Sequence, residues 1–289
     1  MNDMQWKEEF NVGCDYVDKA HRKLFSVLRK VEDLLQGNDY EKNKFACVEA
    51  VKFLYDYTKT HFAQEEAFMR EVGYKGYEMH KELHDNLREV TIPALDEELR
   101  KNDYSPEAVQ QFVGVFTGWL TGHILVEDRA ITGKVMSKWK RPGNMDALDA
   151  LDTEMRQFIK EVSRMDVNLI SKHFEGVSIE NAFYYEMNYE STRIVFVAQN
   201  HLILKLVEEM TGVRQNGMGK SVLLTYIQFV QSLAKAVLLI AAPNEKFRVI
   251  SHKAINGKEL LGYFKEKYSE YSLQWKTDSG YLALCVMNA

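Results

Sequence analysis

Five of the eight histidines in this sequence fall within its first 128 residues, at His21, His61, His80, His84 and His123. Each has ligand-like company. His61 and Glu65 are four residues apart, as are His80 and His84, so each pair leaves one face of a helix on successive turns and forms a two-ligand clamp. His123 is followed by Glu127 at four residues and Asp128 at five. Ideal α-helical geometry favours Glu127, offset by about 40°, over Asp128 at about 140°, and spacing alone leaves both open. A single helical histidine is usually an ordinary surface or core residue. Five on consecutive helices, with carboxylates at the right offsets, are different: burying them together without partners is costly, and a bound metal removes that cost.

The elements that must carry these residues read as helices. Leu24, Val27, Leu28, Val31, Leu34 and Leu35 keep helical spacing over 18–36, and Gly37-Asn38-Asp39 stops it. A second helix runs from about 40 to 71. A third spans about 77 to 101, and Pro93 predicts a kink near Thr91-Ile92 because it removes a backbone donor. Ser105-Pro106-Glu107 supplies a cap and a first-turn proline for a fourth helix ending near Met136. Four amphipathic helices joined by short turns describe an up-down-up-down bundle.

The first part of the chain, over roughly residues 4–135, resembles the bacterial hemerythrins. The matching segments are Asp18-Lys-Ala-His-Arg-Lys-Leu24, His61-Phe-Ala-Gln-Glu-Glu66, Gly73-Tyr74 ahead of His80-x-x-x-His84, and Trp119-Leu-Thr-Gly-His-Ile-Leu-Val-Glu-Asp128. The resemblance implies two iron ions in a non-haem, oxo- or hydroxo-bridged di-iron centre with dioxygen as reversible ligand. It assigns His80, His84 and His123 to one iron and His21 and His61 to the other, with Glu65 and Asp128 bridging; Asp128 is taken over Glu127 by that analogy. It also places Leu24, Phe62, Trp119 and Val126 around the oxygen pocket, as a dry wall that slows oxidation. Di-iron oxidases of the ferritin type rely mainly on carboxylates. Here histidines outnumber carboxylates five to two, which favours carriage over oxidation, so no catalytic residue is expected in the bundle.

Residues 138–152 break the helical pattern with Lys-Trp-Lys-Arg-Pro-Gly-Asn and small acidic residues, and read as a linker between a domain at 1–137 and another at 153–289. Past it, a helix is expected over about 153–174. Alternation at 183–189 and 192–197 predicts paired strands, helices follow near 199–211 and 220–242, and further strands at 246–255, 270–276 and 280–287. The predicted architecture is therefore multi-domain: an all-α four-helix bundle followed by an α+β domain.

The stretch 155–287 resembles the CheX-like domains of chemotaxis phosphatases, through Arg193-Ile-Val-Phe-Val leading to Leu204-Lys-Leu-Val-Glu-Glu-Met-Thr-Gly212, the helix after Lys220, and the closing pair near Tyr271 and Tyr281. The resemblance implies a signalling role and a response-regulator partner. The Glu-x-x-Asn of those phosphatases is missing, and Gln228-x-x-Gln231 is its nearest counterpart, so little phosphatase activity is expected. Gly217-Met-Gly-Lys-Ser221 lacks the glycine a phosphate loop needs and follows a helix, so it reads as a turn.

The composition, 46% hydrophobic and 27% charged, is that of a globular chain. The net charge is −5, almost all of it before residue 150, and neither part has the basic face that nucleic acid requires. There is no leader pattern and no long uninterrupted apolar run, so no membrane span is expected. Three scattered cysteines favour a reducing cytoplasm. Three readings follow. The first is an oxygen sensor coupled to a signalling domain; the second is an oxygen carrier or store whose C-terminal domain forms a homodimer; the third is a phosphatase acting on a phosphorylated receiver.

Overall fold

The computed structural model describes residues 6–35, 40–134, 146–175, 179–245, 248–266 and 269–289. Helices α1 (Asp15–Leu35) and α2 (Tyr40–Glu71) are followed by α3 (Tyr77–Asn86), a π-helical turn at Leu87–Thr91, and α4 (Ile92–Lys101). Helix α5 (Pro106–His123) continues through a second π turn, Ile124–Asp128, into the single turn α6 (Arg129–Ile131). The expected bundle is present, and α5 begins where the sequence places it: Ser105 accepts a hydrogen bond from the Ala108 amide, and Pro106 opens the helix.

The disturbance at Pro93 takes a different form from a kink at Thr91-Ile92. The Ile92 amide reaches back five residues to the Leu87 carbonyl, so one extra residue is absorbed in a π turn and the helix resumes with Pro93 in its first turn. At the other end, Asp18 accepts hydrogen bonds from the amides of Val12 and Gly13, at 2.6 and 3.1 Å, and fixes the loop that enters α1.

The second half is α+β, as expected, with two corrections. Residues 153–174 are not one helix: α7 (Ala147–Ser163) ends at Arg164 with φ 58°, and Val167–Ser171 is strand β1. The sequence 167–171 is Val-Asn-Leu-Ile-Ser, whose short alternation was hidden behind a strongly periodic helix. Helix α10 (Gly257–Glu266) was not anticipated. The remaining elements follow the reading: β2 (Ala182–Asn188), β3 (Thr192–Gln199), α8 (Asn200–Thr211), α9 (Lys220–Ala241), β4 (Ser251–Ile255), β5 (Tyr271–Thr277) and β6 (Gly280–Asn288). The expected linker falls outside the described residues over 138–145, while 147–152 already belong to α7.

All six strands pair antiparallel in the order β1-β5-β6-β3-β2-β4. Alternation divides the sheet. Ile194, Phe196, Leu282, Leu284 and Trp275 join the core on the side of α7, α8 and α9; Val195, Val197, Ala283 and Cys285 pack with Leu260 of α10. Trp275, fully buried, donates through its indole to Asp152 of α7 at 2.7 Å.

The two halves share one continuous core that runs from Phe10 to Val286. Helix α9 is the one helix among the described residues long and apolar enough to cross a membrane, and most of it is buried between α5 and the sheet. A helix apolar on all sides belongs in a core.

Candidate metal centre

His21 comes from α1, His61 and Glu65 from α2, His80 and His84 from α3, His123 from the end of α5, and Asp128 from the second π turn. All seven are buried, with His21, Glu65, His80, His84 and Asp128 at 0% exposure. The folded chain brings them together in two overlapping groups. Glu65, His80, His84, His123 and Asp128 place one donor atom each within 4.8 Å of one another, and His21, His61 and Glu65 do the same.

The π turn answers the question that spacing left open. Five residues close one π turn, so Asp128 returns to the face of His123, whereas a regular helix would have presented Glu127. The Arg129 amide reaches back five residues to the Ile124 carbonyl and marks the inserted residue. Asp128 Oδ1 lies 3.0 Å from His123 Nε2 and 3.1 Å from His80 Nε2; its Oδ2 lies 3.2 Å from His21 Nε2. Glu65 Oε2 stands 3.6 Å from both His61 Nε2 and His84 Nε2. Each carboxylate thus touches both groups of imidazoles.

These contacts are not a finished hydrogen-bond network. Both oxygens of Glu65, both of Asp128, and both ring nitrogens of His21 are buried without a hydrogen-bond partner among the described residues. The Nε2 atoms of His80 and His84 converge on His123 Nε2 at 3.1 and 3.0 Å. Ligands at right angles, each about 2.1 Å from a central ion, stand about 3.0 Å apart. The donor set therefore fits a pair of cations: three imidazoles on one side, two on the other, and two carboxylates between. No metal ion is part of the structure.

Electrostatics prepares the nitrogens for that task. Burial lowers His21 to about 4, helped by His123 and His80 and opposed by Asp128. Burial also holds His61 and His84 well below the ordinary value and lowers His123, so these imidazoles are neutral with lone pairs free to bind. Burial, then the charge of Asp128, raises Glu65. Burial pushes Asp128 the same way, but His123, His80 and His21 outweigh it and hold this carboxylate well below its usual range.

Of the four residues assigned to the oxygen pocket, Phe62 lies flat on the His84 ring at 3.8 Å and Trp119 on the His123 ring at 4.3 Å. Both therefore brace the three-histidine group. Leu24 follows His21 by one turn and is buried, as is Val126 within the π turn. Two neighbours escaped the sequence reading, and a third, Glu127, was weighed there only as an alternative to Asp128. Trp6 stacks on His21 at 6.2 Å, Glu66 Oε1 stands 3.4 Å from His84 Nδ1, and Glu127 is buried beside Asp128. The Glu-Glu pair at 65–66 was the available signal for the second of these: one carboxylate for the metal, the next for the far nitrogen of a ligand. In the C-terminal half, Gln231 is engaged, its amide donating to the Tyr185 hydroxyl at 2.9 Å.

A family model described as the hemerythrin HHE cation binding domain matches residues 12–135. A bacteriohemerythrin of Clostridium acetobutylicum is 31% identical over 126 residues, 43% of this chain and 95% of the relative. One from Pseudomonas aeruginosa is 27% identical over 128 residues, 44% of this chain and 78% of the relative. Among solved structures, the chemotaxis protein CheX from Vibrio vulnificus aligns with 50% of this chain and 97% of its own length, at 10% identity and a TM-score of 0.37.

Proposed function

This chain belongs to the bacteriohemerythrin family, and on that premise we propose that its bundle binds dioxygen reversibly at a non-haem di-iron centre and reports the bound state to the α+β half. The observation that carries the reading is the division of seven buried ligands into three and two histidines, with Glu65 and Asp128 touching both groups. In the proposed centre His80, His84 and His123 would hold one iron and His21 and His61 the other, with Glu65 and Asp128 shared between them. With only two imidazoles, the His21 and His61 side would leave a coordination position for a small ligand. When bound, the iron pair supplies the electrons and the open coordination position that dioxygen needs.

The chain's own side chains do the rest. Neutral imidazoles bind the ions, Glu66 orients His84 from behind, and Phe62 and Trp119 brace the rings of His84 and His123. Leu24 and Val126 complete an apolar wall against water. Sensing is favoured over simple carriage because the helix that carries His123 is also packed into the C-terminal half. The partner class we assign to that half is a receiver-type signalling protein, following the sequence resemblance of residues 155–287, and the setting is the cytoplasm.

Anaerobic loading with ferrous iron followed by oxygen tests the first part. About two irons per chain and a visible absorption band that comes with oxygen and leaves on its removal are expected; a spectrum indifferent to oxygen would refute oxygen binding. Leu24→Ala is expected to shorten the lifetime of the oxygenated form, and an unchanged lifetime would remove Leu24 from the wall. Equal affinity of a receiver partner for the oxygen-free and oxygenated forms would leave carriage, with no signal.

A further inference from the structure

Helix α5 has two working faces. One carries Trp119 and His123 towards the ligand cluster and leads into the π turn that presents Asp128. The other carries Gly114, Gly118 and Gly122, one per turn, against α9. The two helices run parallel there: Gly114 meets Ser221 and Thr225, Gly118 meets Thr225, and Gly122 meets Phe229 and Ser232.

The approach is closer than any side chain permits. A Cβ on Gly114 would lie closer than 3.0 Å to Thr225 Oγ1, and one on Gly118 closer than 3.0 Å to the Thr225 carbonyl oxygen. One on Gly122 would lie 2.6 Å from Ser232 Cβ and Oγ. Ser221 adds a hydrogen bond to the Gln110 carbonyl of α5 at 3.2 Å. Over two turns, backbone meets small side chains or backbone, with no flexible chain between to absorb a shift. The far side of α9 is held as firmly, since Tyr226 meets Phe183 edge to face and Gln231 donates to Tyr185, both partners lying on β2. Just beyond Asp128, Arg129 pairs with Glu161 of α7.

We infer that α9 is a positioning element of the ligand cluster: through the backbone of α5 at Gly114, Gly118 and Gly122, Thr225, Phe229 and Ser232 fix where His123 and Asp128 stand, and the same contacts pass a change at the cluster to β2. The inference rests on the oxygen-binding reading. Linkage makes the traffic reciprocal, so an altered α5–α9 contact alters ligand binding, and ligand binding alters α9.

Full-length Gly114→Ala tests it, because the substitution sits nine residues before His123 and touches no ligand. Its expected effect is a lifetime of the oxygenated form shortened on the order of fivefold or more, with iron loading retained. Gly114→Ala combined with Thr225→Ala removes the nearer of the two obstructing atoms and leaves Ser221 Oγ, the end of a rotatable side chain at 2.9 Å; it is expected to bring the lifetime back to within about twofold of wild type. An unchanged lifetime in the single variant, or no recovery in the double variant, overturns the inference. Should the single variant fail to fold, hydrogen exchange of α9 amides in the unaltered protein decides: different rates in the oxygen-free and oxygenated forms support it, and equal rates overturn it. Absence of the oxygen-dependent band in the unaltered protein is a separate outcome, which removes the underlying reading and the inference with it.

Discussion

Asp128 touches more of the cluster than any neighbouring carboxylate, with one oxygen against His80 and His123 and the other against His21. Glu127, also buried, makes no hydrogen bond or ion pair of this kind with a cluster histidine among the described residues. Asp128→Asn is therefore expected to lower iron content to one or fewer per chain, and Glu127→Gln to leave it at two, as measured by metal analysis after reconstitution. The reverse pattern would reassign the bridge. The histidines set a second expectation, for the metal-free protein. An unfolded imidazole takes up its proton near pH 6.5, whereas folded His21 does so only at about 4, and His61, His84 and His123 are shifted the same way. Between those values the unfolded chain binds more protons, so the stability present above pH 6.5 is lost as pH falls towards 4. Asp128, with its lowered value, loses stability in the same direction, while Glu65, raised by burial, opposes it. The thermal midpoint of the apoprotein is expected to fall between pH 7 and pH 5, and a flat or rising midpoint would contradict the burial of these rings as neutral species. The five histidines and Glu65 of the cluster were legible as residues, because their types and, for the pairs 61/65 and 80/84, their four-residue spacing are local facts, whereas Asp128 was reached only through the family resemblance. Glu66 and Trp6 were not, since nothing in the sequence says which side chain stands behind a ring.

Two π turns show where helical periodicity alone misleads. At Leu87–Thr91 the extra residue lets the chain pass Pro93 without ending the helix. At Ile124–Asp128 it rotates the next residue onto the face of His123. Deleting Glu127 would restore four-residue spacing between His123 and the aspartate. Such a variant is expected to keep two irons per chain in a regular α-helix; loss of iron would mean that the π turn supplies more than rotation. Elsewhere the elements were legible in proportion to their periodic signal. Helices α2, α8 and α9 were bounded to within a residue or so, because long apolar stripes with clear stops leave little freedom. Strand β1 was absorbed into the helix before it, as five residues of alternation are too few to outweigh a long amphipathic run. Helix α10 is short, and its Leu260 and Phe264 spacing only gains meaning from the sheet face it covers.

At the scale of the whole molecule the bundle and the α+β half share a core. From Phe112 to His123 helix α5 has no exposed residue: Val113, Val115 and Phe116 are buried along with its three glycines, and α9 occupies the side that would face water in a free-standing bundle. Residues 1–137 expressed alone are expected to self-associate, because removal of α9 exposes that side; sedimentation showing a stable monomer would mean that the bundle does not depend on its neighbour. Lys7 donates to the Val162 carbonyl and pairs with Glu209, and Arg129 pairs with Glu161, so the N-terminal segment and the end of the last bundle helix are also fastened to the second half. The amino-acid sequence by itself determined the four-helix bundle, the histidines and carboxylates from which its buried cluster is drawn, and the α+β class of the remainder, because residue spacing and apolar period are properties of short segments. Only the tertiary structure decided that Asp128 faces the cluster, that Gly114, Gly118 and Gly122 are contact points, and that the two halves form one core. Each of those depends on an extra residue in a turn or on how closely two distant helices approach, and neither quantity is written in the spacing of residues along one of them.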